Sequence, residues 1–220
     1  MDNVEKQKRI AFYGGSFDPP HRGHLSIAAE LLKQFTLDEF VFIPAFHAPH
    51  KKRSKPTSAL HRYAMLALAT NDHPKIKVST IEIDAPERPY TVETLARLKS
   101  AMPDDQIFFV TGADSWAEID TWREWEKVML MTNHIVVTRP GYHIEFSHVT
   151  DPIRHRIIDL RSEDRERFRD PEGCIYITDA VNVDVSATRV RENIRRGGKE
   201  WESEVTKEVA NYIEKYQIYS

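Results

Sequence analysis

A chain of 220 residues with 40% hydrophobic content can bury a substantial core, as one large domain or two small ones. A net charge of −3 and a pI near 6.4 argue against a general nucleic-acid binder, and a lone cysteine, Cys174, excludes an internal disulfide or a cysteine metal cage. The charged start, Met1 to Arg9, has no apolar leader core and no later run reaches membrane-spanning length, so no membrane association and a cytoplasmic location are expected.

Ile10-Ala11-Phe12-Tyr13 reads as a buried strand, and Leu25, Ala28, Ala29, Leu32 and Phe35 fall at helical spacing. Between them runs Gly14-Gly15-Ser16-Phe17-Asp18-Pro19-Pro20-His21-Arg22-Gly23-His24, a strand-to-helix turn around which the rest of the chain is read. Gly14 and Gly15 let a backbone approach a bound group closely, and the first free N–H groups of the helix offer an anion site. His21 and His24 share a face if the helix begins near Pro20. Their spacing alone is also met by one capping and one packed histidine, or by two zinc ligands, although no third zinc ligand is nearby. The turn as a whole reads as a phosphate-handling site.

Phe40-Val41-Phe42-Ile43-Pro44 is expected to be the second strand of a parallel βαβ unit. A basic loop follows, containing Lys51, and sits at the sheet edge where α/β proteins bind ligands. Residues 58–69 are helical by pattern, with Leu60, Ala64 and Leu68 along one side. Ile76, Val78, Ile81 and Ile83 alternate on two registers, which predicts a strand with a bulge or bend. Thr91 is the expected N-cap of a helix over 92–100 whose buried stripe is Val92, Leu95 and Leu98. Ile107-Phe108-Phe109-Val110 has the unbroken apolar character of a central parallel strand, and it places Asp114 at a strand's carboxyl end. A further strand is expected over 134–138, before Arg139, which reads equally as a phosphate contact or a loop anchor.

Residues 142–173 form a charged insert with a weak helical stripe, Ile153, Ile157 and Leu160, to which no function is assigned. Cys174-Ile175-Tyr176-Ile177 reads as a strand and 181–185 as a short apolar piece. Ser186 then caps a helix stopped by Gly197-Gly198, and a last helix over about 202–216 carries Val205, Val209 and Ile213. Alternating strands and helices without a linker predict α/β class: a single doubly wound Rossmann-like domain over 1–220 with a mainly parallel sheet and a helical C-terminal end.

The string from Gly14 to His24 resembles the signature of nucleotidyltransferases related to class I aminoacyl-tRNA synthetases, with Ser16 where Thr is more usual. Four later stretches narrow this: Ala48-Pro49-His50-Lys51 with Arg62-Tyr63-Ala64-Met65-Leu66, Arg88-Pro89-Tyr90-Thr91-Val92-Glu93-Thr94-Leu95, Gly112-Ala113-Asp114 with Trp122, and Val185-Ser186-Ala187-Thr188-Arg189-Val190-Arg191. Together they are similar to the bacterial nicotinate-nucleotide adenylyltransferases. The resemblance implies transfer of AMP from ATP to nicotinate mononucleotide with Mg²⁺, giving the deamido dinucleotide and pyrophosphate. It further implies that His21, His24, Lys51 and Arg191 serve the reacting phosphates, and that Gly14, Gly15, Ser16, Phe17, Asp114, Ser186, Thr188 and Arg191 hold ATP, Asp114 through ribose hydroxyls. Tyr90, Thr91 and Trp122 would form the nicotinate pocket, and no residue is assigned as a metal ligand. Nicotinamide mononucleotide or phosphopantetheine as acceptor, and a regulator without turnover, are the competing readings. With no Lys or Arg in 90–94, backbone N–H groups at Thr91 and near Trp122 are expected to read the nicotinate carboxylate. The sequence leaves open whether the chain forms a homo-oligomer.

The chemistry suits these residues independently of the resemblance. A phosphate monoester is largely ionised at neutral pH, its second pKa being about 6, so its attack needs no general base. What the transfer needs is in-line placement and neutralisation of charge on the moving phosphoryl group.

Overall fold

The computed structural model describes residues 7–46, 56–87, 89–138, 141–161, 173–179, 181 and 185–220. Among these residues seven strands form one sheet: β1 (Arg9–Gly15), β2 (Glu39–Pro44), β3 (Ile76–Val78), β4 (Gln106–Gly112), β5 (Asn133–Val137), β6 (Ile157–Asp159) and β7 (Ile175–Thr178). Their spatial order is β3-β2-β1-β4-β5-β7-β6, and every neighbouring pair is parallel. The order reverses direction between β1 and β4, where Tyr13 lies beside Val110. A crevice at the carboxyl ends of these two strands is the place where open parallel sheets bind ligands.

The period-2 alternation of the strands divides the core between the two faces of the sheet. Ile10, Phe12, Ile107 and Phe109 point to one face, where they meet α3 (Thr91–Ala101), α4 (Ala113–Ala117) and α5 (Trp125–Met131) through Leu95, Trp116 and Val128. Ala11, Phe40, Phe42, Phe108 and Val110 point to the other, against Ala28 and Leu31 of α1 (Arg22–Gln34) and Leu66 of α2 (Ala59–Thr70). Each fully buried side chain of this size contributes about 1.5–3 kcal/mol, which explains why strands buried on both faces read as unbroken apolar runs. A third cluster joins Met65 and Ala69 of α2 to Val190 of α7 (Ala187–Arg195) and to Val209 and Ile213 of α8 (Lys207–Tyr216). The helical C-terminal end is thus fastened to the helix that follows β2.

Several local expectations are corrected. The buried face of α2 is Arg62, Met65, Leu66 and Ala69, while Leu60 is 68% and Leu68 38% exposed. The strand near Ile76 ends at Val78, and Ile81 and Ile83 enter a helical turn marked by Asp84 N–H donating to Thr80 O at 2.8 Å. The 153–160 stripe is split between a one-turn helix, α6 (Asp151–Arg154), and the edge strand β6. Tyr90, not Thr91, is the N-cap of α3, and Thr206 caps α8, with a short 3-10 turn at Glu200–Ser203 before it. The expectations for Ser186 as N-cap and Gly197 as stop hold: Ser186 Oγ accepts from Arg189 N–H at 3.2 Å, and Gly197 has φ +73°. The 181–185 piece lies largely outside the described residues.

Candidate active site

The site is built on the turn after β1. A Cβ at Gly15 would lie 2.8 Å from the ring of Phe17, which folds back over it, so a larger residue there would have to displace that ring. Phe17 adopts a left-handed backbone, φ 48°, which costs on the order of 1 kcal/mol for a residue with a side chain. Its ring is 3% exposed, edge-on to Tyr13, Phe42 and His24 at 5.3, 5.1 and 4.9 Å between centroids. Burial therefore offsets the strain, and Phe17 serves the turn from beneath, as a floor.

His21 lies just before α1 as its N-cap, and the helix begins at Arg22, two residues beyond Pro20. Its N–H donates to Nδ1 of His24 at 3.2 Å, and the two rings stack at 3.7 Å with planes 22° apart. The capping and phosphate readings of this pair are therefore not exclusive. The Nδ1 of His24 is engaged with the backbone, which fixes the ring.

The second signature meets the first at Asp18. Arg191 Nη1 donates to the Asp18 carbonyl, and its Nη2 to Thr188 Oγ1 at 3.2 Å. Ser186, Thr188 and Arg191 thus stand at the start of α7 beside the turn of α1, 173 positions earlier in the chain. The start of α1 is held on its other side, where Arg22 N–H and Nε donate to the carbonyls of Glu204 and Ser203 at 2.8 and 2.9 Å. Two helix N-termini and a guanidinium converge on one place, a setting for anionic groups.

Asp114 occupies the first turn of α4, immediately beyond β4 and across the switch point from Tyr13. The Tyr13 hydroxyl is pushed up to about 12, first by burial and then by the Asp114 charge. Asp114 itself is exposed and available to hydroxyl groups. The acceptor candidates lie at the start of α3 and just after the short 3-10 turn Ile119–Thr121. Tyr90 is 44% exposed at the start of α3 and Trp122 is half-buried against the core. The N–H of Trp122 itself donates to Ile119 O at 3.0 Å. Beside it, Arg123 lies over the Tyr90 ring at 4.7 Å and 3.6 Å from Glu93 Oε1. Sequence reasoning missed this cation because it lies outside the 90–94 stretch. Lys51 and Arg139 lie outside the described residues.

Two further residues have no role assigned from the sequence. Arg62 is 1% exposed, and its guanidinium donates to the carbonyls of Thr57, Ser16 and Ala45 at 2.9, 2.7 and 2.6 Å. Burial lowers its proton affinity, while Asp18, Tyr219 and Glu82 work in the opposite sense. Glu82 accepts from Thr94 Oγ1 at 3.0 Å and from Phe46 N–H at 3.4 Å, linking the end of β2 to α3. Its carboxyl is raised by burial, with those hydrogen bonds and Arg62 and Arg97 opposing. Among the described residues an open cavity of about 910 Å³ also lies beside β6 and β7, lined by His143, Glu145, Asp159 and Arg161 among others, and none of the signature residues border it. The turn at the switch point, with its converging helix ends, is the better candidate on chemical grounds.

A glycine turn, a histidine pair and a returning arginine at the switch point of a parallel sheet define a nucleotidyltransferase site, and the cytidylyltransferase-like family model matches residues 12–193. A probable nicotinate-nucleotide adenylyltransferase of Thermoanaerobacter sp. is 35% identical over 98% of this chain and 96% of its own length. One from Desulfatibacillum aliphaticivorans is 36% identical over 96% of this chain and 99% of its own. The chain belongs to the nicotinate-nucleotide adenylyltransferase family. Its fold is shared with Plasmodium falciparum nicotinic acid mononucleotide adenylyltransferase complexed with NaAD, with a TM-score of 0.72 at 21% identity over 97% of this chain and 98% of that one.

Proposed function

We propose that this protein, acting as one nucleotidyltransferase domain, transfers AMP from ATP to nicotinate mononucleotide and releases pyrophosphate. A phosphate oxygen of the mononucleotide attacks the α-phosphorus of ATP as the bond to the β-phosphate oxygen breaks. The observation that carries the reading is the Arg191 bond to the Asp18 carbonyl, which joins both phosphate-binding signatures into one site. His24, held by its Nδ1, directs Nε2 to the transferred phosphoryl group, and His21 stacks beneath it. Ser186, Thr188 and Arg191 receive the triphosphate at the start of α7, and Lys51 serves the same phosphates. Gly14, Gly15 and Ser16 admit the nucleotide to the turn, and Asp114 holds the ribose.

No group of three His, Cys, Asp or Glu side chains among the described residues forms a metal cage. Mg²⁺ would be carried on the nucleotide, where it keeps most of its waters and needs few protein ligands. When bound, such an ion would neutralise triphosphate charge. Tyr90, Thr91 and Trp122 bind the nicotinate ring. Among the described residues no helix is long and apolar enough to cross a membrane, and the substrates proposed are those of a cytoplasmic enzyme. Pyrophosphate release with ATP, Mg²⁺ and nicotinate mononucleotide tests the proposal; release with phosphopantetheine and none with the mononucleotide would overturn it.

A further inference from the structure

Arg62 is the most deeply buried cation of the described site, and each of its contacts is to backbone of a segment that borders the turn. Ser16 belongs to the turn itself, Ala45 is the first residue beyond β2, and Thr57 lies just before α2. Both stems of the segment between β2 and α2 are held twice over. Ala45 N–H donates to Gly15 O at 2.9 Å while its carbonyl accepts from Arg62. Thr57 N–H donates to Asp18 Oδ2 at 3.2 Å while its carbonyl also accepts from Arg62. The guanidinium is the one side-chain group with a flat fork wide enough to serve three carbonyls at once, which a lysine ammonium on its flexible stem cannot do in the same plane.

We propose that Arg62 is a positioning residue for adenylyl transfer, which sets the signature turn by clamping Ser16 to both stems, Ala45 and Thr57. It touches no substrate. It acts through the turn that carries His21, His24 and the Asp18 carbonyl to which Arg191 is bonded. The proposal rests on the adenylyltransferase reading for its kinetic part and on geometry alone for the clamp.

The test pairs kinetics with amide hydrogen exchange on the full chain. In Arg62→Lys the kcat with nicotinate mononucleotide should fall by roughly 10²-fold, more than the KM for either substrate changes, since groups are misplaced and not removed. Exchange at the Ala45 and Thr57 amides should accelerate at least tenfold, while Phe108 to Val110 in β4 keep their protection. Met65→Ala, on the same helix but facing α8, provides the comparison: it should lower the melting temperature as much or more while kcat stays within about twofold. A kcat within threefold of the parent in Arg62→Lys, unchanged exchange at the two stems, or an equal loss of turnover in Met65→Ala would each overturn the proposal. If Arg62→Lys does not fold, Arg62→Gln takes its place under the same criteria; failure of both to fold would make Arg62 a residue of the fold alone and also overturn it. A parent protein without turnover would remove the adenylyltransferase reading, and the exchange result would still decide the clamp.

Discussion

The Tyr219 hydroxyl donates to Asp18 Oδ1 at 2.6 Å, bringing the last turn of the described chain onto the turn after β1. Asp18 is 8% exposed, and its other oxygen accepts from Thr57 N–H. Burial first, and then the Asp18 charge, pushes the Tyr219 hydroxyl far above its ordinary range, so it stays a donor at every pH the protein meets. Tyr219→Phe leaves a buried carboxylate oxygen without that donor, a loss of about 1–3 kcal/mol. Urea unfolding at neutral pH should show it, with kcat reduced several-fold because the Asp18 carbonyl anchors Arg191. Unchanged unfolding would mean that water replaces the phenol without cost.

The histidine pair combines a cap with the proposed chemistry, and the two roles can be separated. His24→Ala removes both the acceptor for His21 N–H and the Nε2 donor. Loss of the cap costs on the order of 1 kcal/mol, and loss of a donor aimed at developing charge about 10²-fold or more in kcat. His24→Asn puts an oxygen where Nδ1 was and nothing where Nε2 was. Its stability should return to within a few tenths of a kcal/mol of the parent, while kcat stays as low as in the alanine variant. Recovered turnover in His24→Asn would make the histidine a cap and no more.

Arg191→Lys should behave like a deletion. The guanidinium serves Asp18 and Thr188 with two nitrogens at once, and an ammonium offers a point charge without that fork. A fall in kcat/KM for ATP of about 10²-fold is expected, with melting nearly unchanged since the residue is only partly buried. Near-parental kcat/KM in the lysine variant would show that charge alone suffices.

The parts of this protein that could be read from its sequence are those where one residue type has one physical use. Ser186 before a helix and Gly197 after it, the apolar run Ile107 to Val110 within β4, and the glycine pair before the histidines are of that kind. The face of α2 was misread because Arg62 counts as solvent-seeking in any periodicity, and its burial becomes sensible only once three carbonyls from distant segments surround it. β6 was missed because three residues flanked by charge give no alternation to follow, and its pairing comes from β7. Arg123 was missed because its partners Tyr90 and Glu93 lie about thirty positions away, and no local pattern reports a contact of that span.

A pH dependence of stability should arise from His134, far from the chemistry. It is fully buried in β5, with Nε2 donating to Val128 O at 2.9 Å, and burial lowers its pKa from 6.5 to about 4, the hydrogen bond opposing. The unfolded chain therefore binds a proton that the folded chain refuses. Stability is complete above pH 6.5 and is lost as pH falls toward 4, by about 2–3 kcal/mol at pH 4.5. His134→Leu should unfold with a shallower acid slope between pH 7 and 4.5, whatever its baseline. Parallel slopes would place the acid sensitivity in other groups.

On the proposed function, acceptor choice falls to Tyr90, Thr91 and Trp122. Nicotinate and nicotinamide rings have nearly the same shape, so stacking on Trp122 favours both, and Trp122→Ala should lower kcat/KM for the two while leaving their ratio intact. Discrimination needs positive charge near the carboxylate. The start of α3 offers the Thr91 N–H, which no hydrogen bond among the described residues uses, and Arg123 over Tyr90 adds a cation partly drawn off by Glu93 at 3.6 Å. A charge-assisted bond of this kind contributes about 1.5–3 kcal/mol when shielded, and the lower end applies because the Arg123 side chain is 54% exposed. Arg123→Ala should therefore narrow the preference for nicotinate over nicotinamide mononucleotide by about tenfold, chiefly through the nicotinate KM. Glu93→Gln, which frees the guanidinium, should widen it. Thr91→Pro removes the backbone donor at a position where proline is tolerated in a helix and should narrow it further. A ratio unmoved by Arg123→Ala but reduced by Thr91→Pro would assign the reading to the helix terminus alone, and equal kcat/KM for both acceptors in the parent would show that the carboxylate is not read.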